Sequence, residues 1–132
     1  MTDPVVIDLD REDAAYRPGD TLSATYRCAA EPRGDVNALE VSVLWYTEGK
    51  GDEDLGVHHF ERLGGTEDGP LDVAASRRLS VRLPNSPLSY DGVLIKIRWC
   101  VRVRVFLPGG KEWLGEAPFR LGEVARAMKD SP

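Results

Sequence analysis

The stretch from Ile95 to Val105 alternates between apolar and polar side chains, and it constrains the fold more than any other part of the chain. Its odd-numbered positions are all apolar, and its even-numbered positions are Lys96, Arg98, Cys100, Arg102 and Arg104. Successive side chains of a strand point to opposite faces, whereas an α-helix repeats its faces about every 3.6 residues. The run therefore predicts a long strand over residues 93–107, with one buried face and one charged face.

The same alternation recurs along most of the chain, interrupted by turns rich in proline and glycine. The predicted strands cover residues 5–9, 21–29, 38–47, 55–63, 77–83, 93–107 and 112–121. Short strands at similar spacing are typical of a β-sandwich or barrel. We therefore predict an all-β, immunoglobulin-like sandwich of seven or eight mostly antiparallel strands. The only helical candidate, residues 123–129, lies in a short C-terminal tail.

The length of 132 residues predicts a single domain over residues 1–132, with its core at about 5–121 and a tail at 122–132. A net charge of −5 argues against a nucleic-acid partner. No run approaches the roughly 18 apolar residues that a membrane span needs, and the first residues lack the pattern of a signal peptide. We expect a cytoplasmic protein that does not insert into a membrane.

Cys28, Trp45 and Cys100 follow one another in the order seen in immunoglobulin domains, where a disulfide joins the two sheets against a tryptophan. The alternation argues against such a bond. The even-numbered positions of residues 21–29 are mostly apolar, so Cys28 is predicted to face the core, whereas Cys100 lies on the charged face of its strand. Two sulfur atoms on opposite faces cannot reach disulfide geometry without a bulge. We expect two free thiols.

Two segments carry a recognisable pattern. Residues 16–24 read YRPGDTLSA, and residues 79–92 read LSVRLPNSPLSYDG, followed by IRWCVRV at 97–103. The first resembles the turn and small-residue strand near the start of arrestin-like domains. The second resembles the proline-rich corner of the same family and the alternating strand that follows it. With the strands between them, the resemblance covers most of residues 5–121. The chain is similar also to the arrestin-like domains of bacterial sporulation-control proteins.

The resemblance implies an arrestin-like sandwich and a non-enzymatic adaptor role. Two-domain members of that family hold a buried charged cluster between two sandwiches and a regulatory C-terminal tail. This chain has room for one sandwich, so that switch is not carried over. The corner also has a physical interpretation of its own, since Tyr90 precedes the long strand. There its hydroxyl group is expected to bond to upstream backbone and tie the sheets together, as a tyrosine corner does.

The chain contains no pattern that assembles catalytic or metal-binding groups. His58 and His59 are its two histidines, and adjacent residues of a regular strand point to opposite faces, so they are not expected to share a metal. Neither a metalloprotease helix motif, a phosphate-binding loop nor a nucleophile elbow is present. We therefore expect no enzymatic activity, no catalytic residues, no metal and no cofactor.

The charged face of the long strand is the main candidate for a partner-binding surface. Its neighbours in a sandwich are the strands at 38–47 and 112–121, which place apolar side chains among the basic ones. The candidate residues are Leu44, Tyr46, Lys96, Arg98, Arg102, Arg104 and Leu114. Tyrosine and arginine are enriched at binding hot spots. The alternative interpretation is a solvated face whose arginines form cross-strand ion pairs with glutamates such as Glu40, Glu112 and Glu116.

These observations favour a non-catalytic protein-interaction or scaffold module whose partner is another protein. A homodimer is a further expectation, through a sheet face or through an edge strand such as residues 55–63. A sandwich that binds a carbohydrate or a lipid headgroup is the alternative. It requires exposed aromatic side chains, but Trp45 and Trp99 fall on the inward positions and only Trp113 is ambiguous. A hydrolytic enzyme is the least supported class.

Overall fold

The computed structural model describes residues 4–30, 32, 36–64 and 71–122. Nine strands follow one another in these residues. They are β1 (Val5–Leu9), β2 (Ala15–Tyr16), β3 (Thr21–Cys28), β4 (Ala38–Gly49), β5 (Leu55–Gly64), β6 (Arg77–Arg82), β7 (Tyr90–Asp91), β8 (Ile95–Phe106) and β9 (Glu112–Leu121). The seven predicted strands are all present, and the structure adds the two-residue strands β2 and β7. The predicted helix at 123–129 lies outside the described residues.

The strands form two sheets that pack into a sandwich. One sheet has three strands in the order β1-β3-β6, and the other has the order β2-β9-β8-β4-β5, with β7 pairing to β8. All pairs are antiparallel except that between β2 and β9. The all-β, mostly antiparallel sandwich predicted from the alternation is confirmed. The described residues contain no helix that is long and apolar enough to span a membrane.

The core lies between the sheets, on the faces that the alternation predicts to be apolar. In β8 the odd-numbered residues Trp99, Val101, Val103 and Val105 belong to the core cluster, and Cys100 does not. Cys28 belongs to that cluster, and both cysteines are free. The prediction of two unpaired thiols on opposite faces is confirmed.

Strand β4 ends at Gly49 because the backbone there must pass directly against another loop. Gly49 has a φ of 127°, and a Cβ atom at this position would collide with the carbonyl oxygen of Leu94. The amide of the next residue, Lys50, donates a hydrogen bond of 3.0 Å to the same carbonyl. A glycine is required here since an L side chain rarely adopts this φ and has no space.

The corner before β8 is tied to the sandwich by residues other than the predicted tyrosine. Tyr90 is 54% exposed, and its hydroxyl group bonds to none of the described residues, so its predicted role is wrong. Instead Nε1 of the buried Trp99 donates to the carbonyl oxygen of Pro87 at 2.8 Å. Ser89 exchanges two hydrogen bonds with the backbone of Leu121, through its own amide at 2.7 Å and its Oγ at 2.8 Å. The tyrosine was misassigned because its ring lies over Gly92 on the outside of the corner.

Candidate protein-binding surface

The outer face of the six-stranded sheet carries the residues that the sequence singled out. The pairing of β5, β4, β8 and β9 aligns their outward side chains in rows that cross four strands. The central row runs in the order Val57, Leu44, Cys100 and Pro118. The next row contains Phe60, Ser42, Arg102 and Glu116. The structure therefore brings the predicted outward residues of β4, β8 and β9 together on one face.

The basic side chains of this face are neutralised by carboxylates on neighbouring strands. Arg98 bonds to Glu48 at 2.9 Å and Arg102 to Glu116 at 2.6 Å. These bonds join β8 to β4 on one side and to β9 on the other. The hydrogen bond from Glu48 raises the pKa of Arg98 further above its usual range. The face is therefore not a positively charged patch at this position.

The same pattern continues toward both ends of β8. Arg104 pairs with Glu112, whose pKa it lowers, and lies 3.7 Å from Glu40. Lys96 lies 3.3 Å from Asp91 and lowers the pKa of that carboxyl group. Each of the four basic candidate residues thus has a carboxylate partner. This is the arrangement that the ion-pair interpretation predicts.

The three apolar candidates on this face differ in their exposure. Leu114 is 51% exposed and Tyr46 is half-buried, but Leu44 is only 2% exposed. The expectation that Leu44 is an accessible anchor is wrong, because Cys100 and Val57 flank it on both sides in the central row. Alternation predicted the face of Leu44 correctly and said nothing about how neighbouring strands cover it.

The largest exposed apolar cluster of the face lies on β5, and the sequence reasoning missed it. Leu55, Val57 and Phe60 are each slightly more than half exposed. The pairing register shifts between Val43 and Leu44, so that Val57 pairs with Leu44, His59 pairs with Val43, and His58 is an extra residue in a β-bulge. Before the bulge the outward side chains of β5 are odd-numbered, as in Leu55 and Val57, and after it they are even-numbered, as in Phe60. The apolar spacing 55, 57, 60 was the signal that could have revealed it.

Strand β5 is also an edge of the sheet. In the described part of the chain it pairs with β4 on one side and with no strand on the other. The amide of Thr47 bonds to the carbonyl oxygen of Asp54, just before β5, whereas the amide of Lys50 bonds to the carbonyl oxygen of Leu94, just before β8. The backbone N–H and C=O groups of the odd-numbered residues of β4 therefore point toward β5. Because backbone direction alternates along a strand, Phe60 and Val57 direct their own N–H and C=O groups away from β4, whereas the amide of Leu55 donates to Oδ1 of Asp54 at 2.9 Å. At Val57 and Phe60 the exposed apolar side chains and the open backbone groups therefore belong to the same residues.

The bulge also alters the arrangement of the two histidines. His58 lies edge-on to the inward ring of Trp99, with 6.3 Å between centroids, and its Nε2 is 2.8 Å from the carbonyl oxygen of Arg82 in β6. His59 pairs inward opposite Val43 and its Nε2 is 2.7 Å from Glu61. Both rings therefore lie on the inner side of β5, contrary to the prediction from strict alternation. Even so, no three metal-binding side chains cluster within the described residues.

A hollow of about 670 Å³ opens beside the apolar cluster, where β4 turns into β5. Tyr46 and Leu55 form part of its wall, and Glu48, Glu53 and Asp54 give it an acidic border, with Arg102 on the far side. A concave, acidic region thus adjoins the apolar end of the edge strand. We call Tyr46, Leu55, Val57 and Phe60 the β5 corner.

The comparisons with known proteins agree with the architecture. No family model and no curated protein matches the chain. Among solved structures, the chain is similar to the sporulation control protein Spo0M from Bacillus subtilis, with a TM-score of 0.61 and 13% sequence identity. The match covers 96% of this chain and 54% of Spo0M, so the chain spans about half the length of that protein. The arrestin-like fold predicted from residues 16–24 and 79–103 is confirmed.

Proposed function

We propose that this protein is a non-catalytic, cytoplasmic protein-interaction module, formed by one arrestin-like domain, and that it binds its partner at the β5 corner. The observation that carries this proposal is the coincidence of exposed apolar side chains with an open sheet edge at Val57 and Phe60, with the exposed Leu55 beside them. Added strands gain affinity from main-chain hydrogen bonds and specificity from alternate side chains. The β5 corner offers both.

The ion-paired residues have a different role in this proposal. Lys96, Arg98, Arg102 and Arg104 form a polar border beside the apolar cluster, as charged side chains do around the centre of protein interfaces. Leu114 lies at the far side of that border and is a secondary contact. Reversing two of these charges, with Arg98→Glu and Arg102→Glu, should change the association rate and its salt dependence more than the dissociation rate.

The ligand-binding alternative gains no support from the tryptophans. Trp99 is fully buried, and Trp45 and Trp113 pack against the core. A carbohydrate site needs aromatic faces open to solvent, so none of the three tryptophans supplies one. We therefore propose a protein and not a small molecule as the partner.

Site-specific crosslinking in cells tests the proposal. A photoreactive amino acid at Val57 should give crosslinks to protein, and the substitution Phe60→Asp should remove them. The same photoreactive residue at Arg78, which is exposed on β6 of the other sheet, is the matched control and should give few. Equal crosslinking from both positions, or crosslinking at Val57 that is insensitive to Phe60→Asp, would show that the β5 corner is not the binding surface.

A further inference from the structure

We propose that the β5 corner binds a second copy of this chain, with the two β5 strands antiparallel and a two-fold axis at Phe60. This inference rests on the proposed function and specifies its partner. A dimer with two-fold symmetry needs a surface that is complementary to itself. An antiparallel strand pair has that symmetry when one residue lies opposite its own equivalent.

The charges of β5 select the position of the axis. With Phe60 on the axis, His59 of each copy lies opposite Glu61 of the other, so the contact contains two complementary pairs. An axis at Glu61 or at Arg62 places like charges directly opposite each other, which destabilises a strand pair. Within one chain Nε2 of His59 lies 2.7 Å from Glu61, and the two side chains are 33% and 42% exposed, so each retains surface that an added strand can contact.

The backbone and the apolar side chains favour the same position. The N–H and C=O groups of Phe60 point away from β4, so two Phe60 residues on the axis can exchange both of their backbone hydrogen bonds. Their rings then face each other on the outer surface, where Phe60 is 52% exposed. Aromatic cross-strand pairs stabilise antiparallel strands. The resulting sheet is continuous across the two copies.

The contact is short, because the bulge at His58 limits regular pairing to the second half of β5. Small interfaces are characteristic of weak or transient association. We therefore expect a monomer–dimer equilibrium that depends on protein concentration, without a permanently associated dimer.

Sedimentation velocity of the full chain across a range of concentrations tests this inference. The mass should rise from the 14.6 kDa of the monomer toward twice that value. In the variant His59→Glu, the new carboxylate of each copy faces Glu61 of the other copy. These two like-charged pairs should weaken dimerisation by about tenfold. Adding Glu61→Lys to that variant should restore dimerisation, because the two facing positions then carry opposite charges again. Ser80→Asp adds a charge at an exposed position of β6, on the other sheet, and is the matched control.

A second variant tests the backbone contact. Phe60→Pro removes an N–H group that the pairing with β4 does not use, and proline is tolerated at such edge positions. This variant should stay folded by circular dichroism and remain a monomer. Wild-type protein that is monomeric at every concentration, or an equal dimer in His59→Glu, would overturn the inference. If such a monomer still crosslinks other proteins from Val57 in a Phe60-dependent manner, the proposed function stands and its partner is a different chain.

Discussion

The hydroxyl group of Tyr16 donates a hydrogen bond of 2.5 Å to Oδ1 of Asp10, and this bond joins the two sheets. Tyr16 belongs to β2 at the edge of the six-stranded sheet, whereas Asp10 directly follows β1 in the three-stranded sheet. The ring of Tyr16 is fully buried and packs edge-on against Phe119, and the guanidinium group of Arg11 lies over the ring, 4.6 Å from its centroid. Tyr16 thus has the tying role that the sequence assigned to Tyr90.

The substitution Tyr16→Phe removes this bond and retains the ring. We expect it to lower the free energy of unfolding by about 1–3 kcal/mol, because a hydrogen bond to a carboxylate is lost at a buried position. Urea denaturation followed by circular dichroism measures the change. Tyr90→Phe is the matched control, since Tyr90 is largely exposed, and should change stability by less than about 0.5 kcal/mol. Equal effects of the two substitutions would contradict the assignment.

Alkaline pH should reveal the same contact. Burial, and then the bond to Asp10, raises the pKa of Tyr16 well above its ordinary value of 10.0. The folded state therefore holds the neutral phenol, so the stabilisation is complete below pH 10 and is lost as the pH rises above it. Between pH 9 and about 11 the wild type should lose more stability than Tyr16→Phe. Parallel curves for the two proteins in denaturant titrations would contradict this.

The hydroxyl group of Ser89 satisfies a backbone amide that has no access to water. Its Oγ accepts a bond of 2.8 Å from the amide of Leu121, which is fully buried. Ser89→Ala leaves that amide without a partner and should lower the free energy of unfolding by about 1–3 kcal/mol. Ser80→Ala, at an exposed position of β6, should cost less than about 0.5 kcal/mol. Chemical denaturation of both variants compares the two costs.

Alternation predicted the faces of the long strands well because those strands are regular. β4 and β8 pair over their whole length without a shift, so one parity holds from end to end. The same reasoning failed on β5, where one extra residue at His58 reverses the parity. The bulge is a feature of the pairing with β4, and the extra residue His58 lies edge-on to Trp99; neither contact is visible in the local pattern. The apolar cluster at Val57 and Phe60 was hidden for this reason.

Alternation also cannot predict how far a face is covered. Leu44 and Cys100 lie on the predicted outer face, yet both are buried. Side chains on neighbouring strands cover both residues. Because those strands are far apart in the sequence, the pattern within one strand does not reveal the cover. The tie at Tyr16 was missed for a similar reason, since its partner Asp10 depends on how the two sheets meet.

The ion pairs of the outer face should contribute little to stability. Arg102 and Glu116 are 2.6 Å apart with side chains that are 27% and 38% exposed. A double-mutant cycle with alanine at both positions should give a coupling of about 0.2–1 kcal/mol that decreases in salt. The cycle between Glu116 and Arg78, which lies on the other sheet, should give no coupling. A coupling above about 2 kcal/mol would show that the face is far less exposed to solvent than the side-chain exposures of Arg102 and Glu116 indicate.

The two thiols should react slowly in the folded protein and should not pair. Burial raises the pKa of both Cys28 and Cys100, that of Cys100 to about 11, and only the thiolate reacts readily. Cys28 lies in the core between the two sheets, whereas Cys100 lies on the outer face of the six-stranded sheet. At neutral pH a thiol reagent should therefore label the native protein far more slowly than the denatured protein, in which two thiols titrate. Cys100→Ser should leave Cys28 equally protected. Rapid labelling of one thiol in the native state, or a mass loss of two hydrogens after mild oxidation, would contradict this placement.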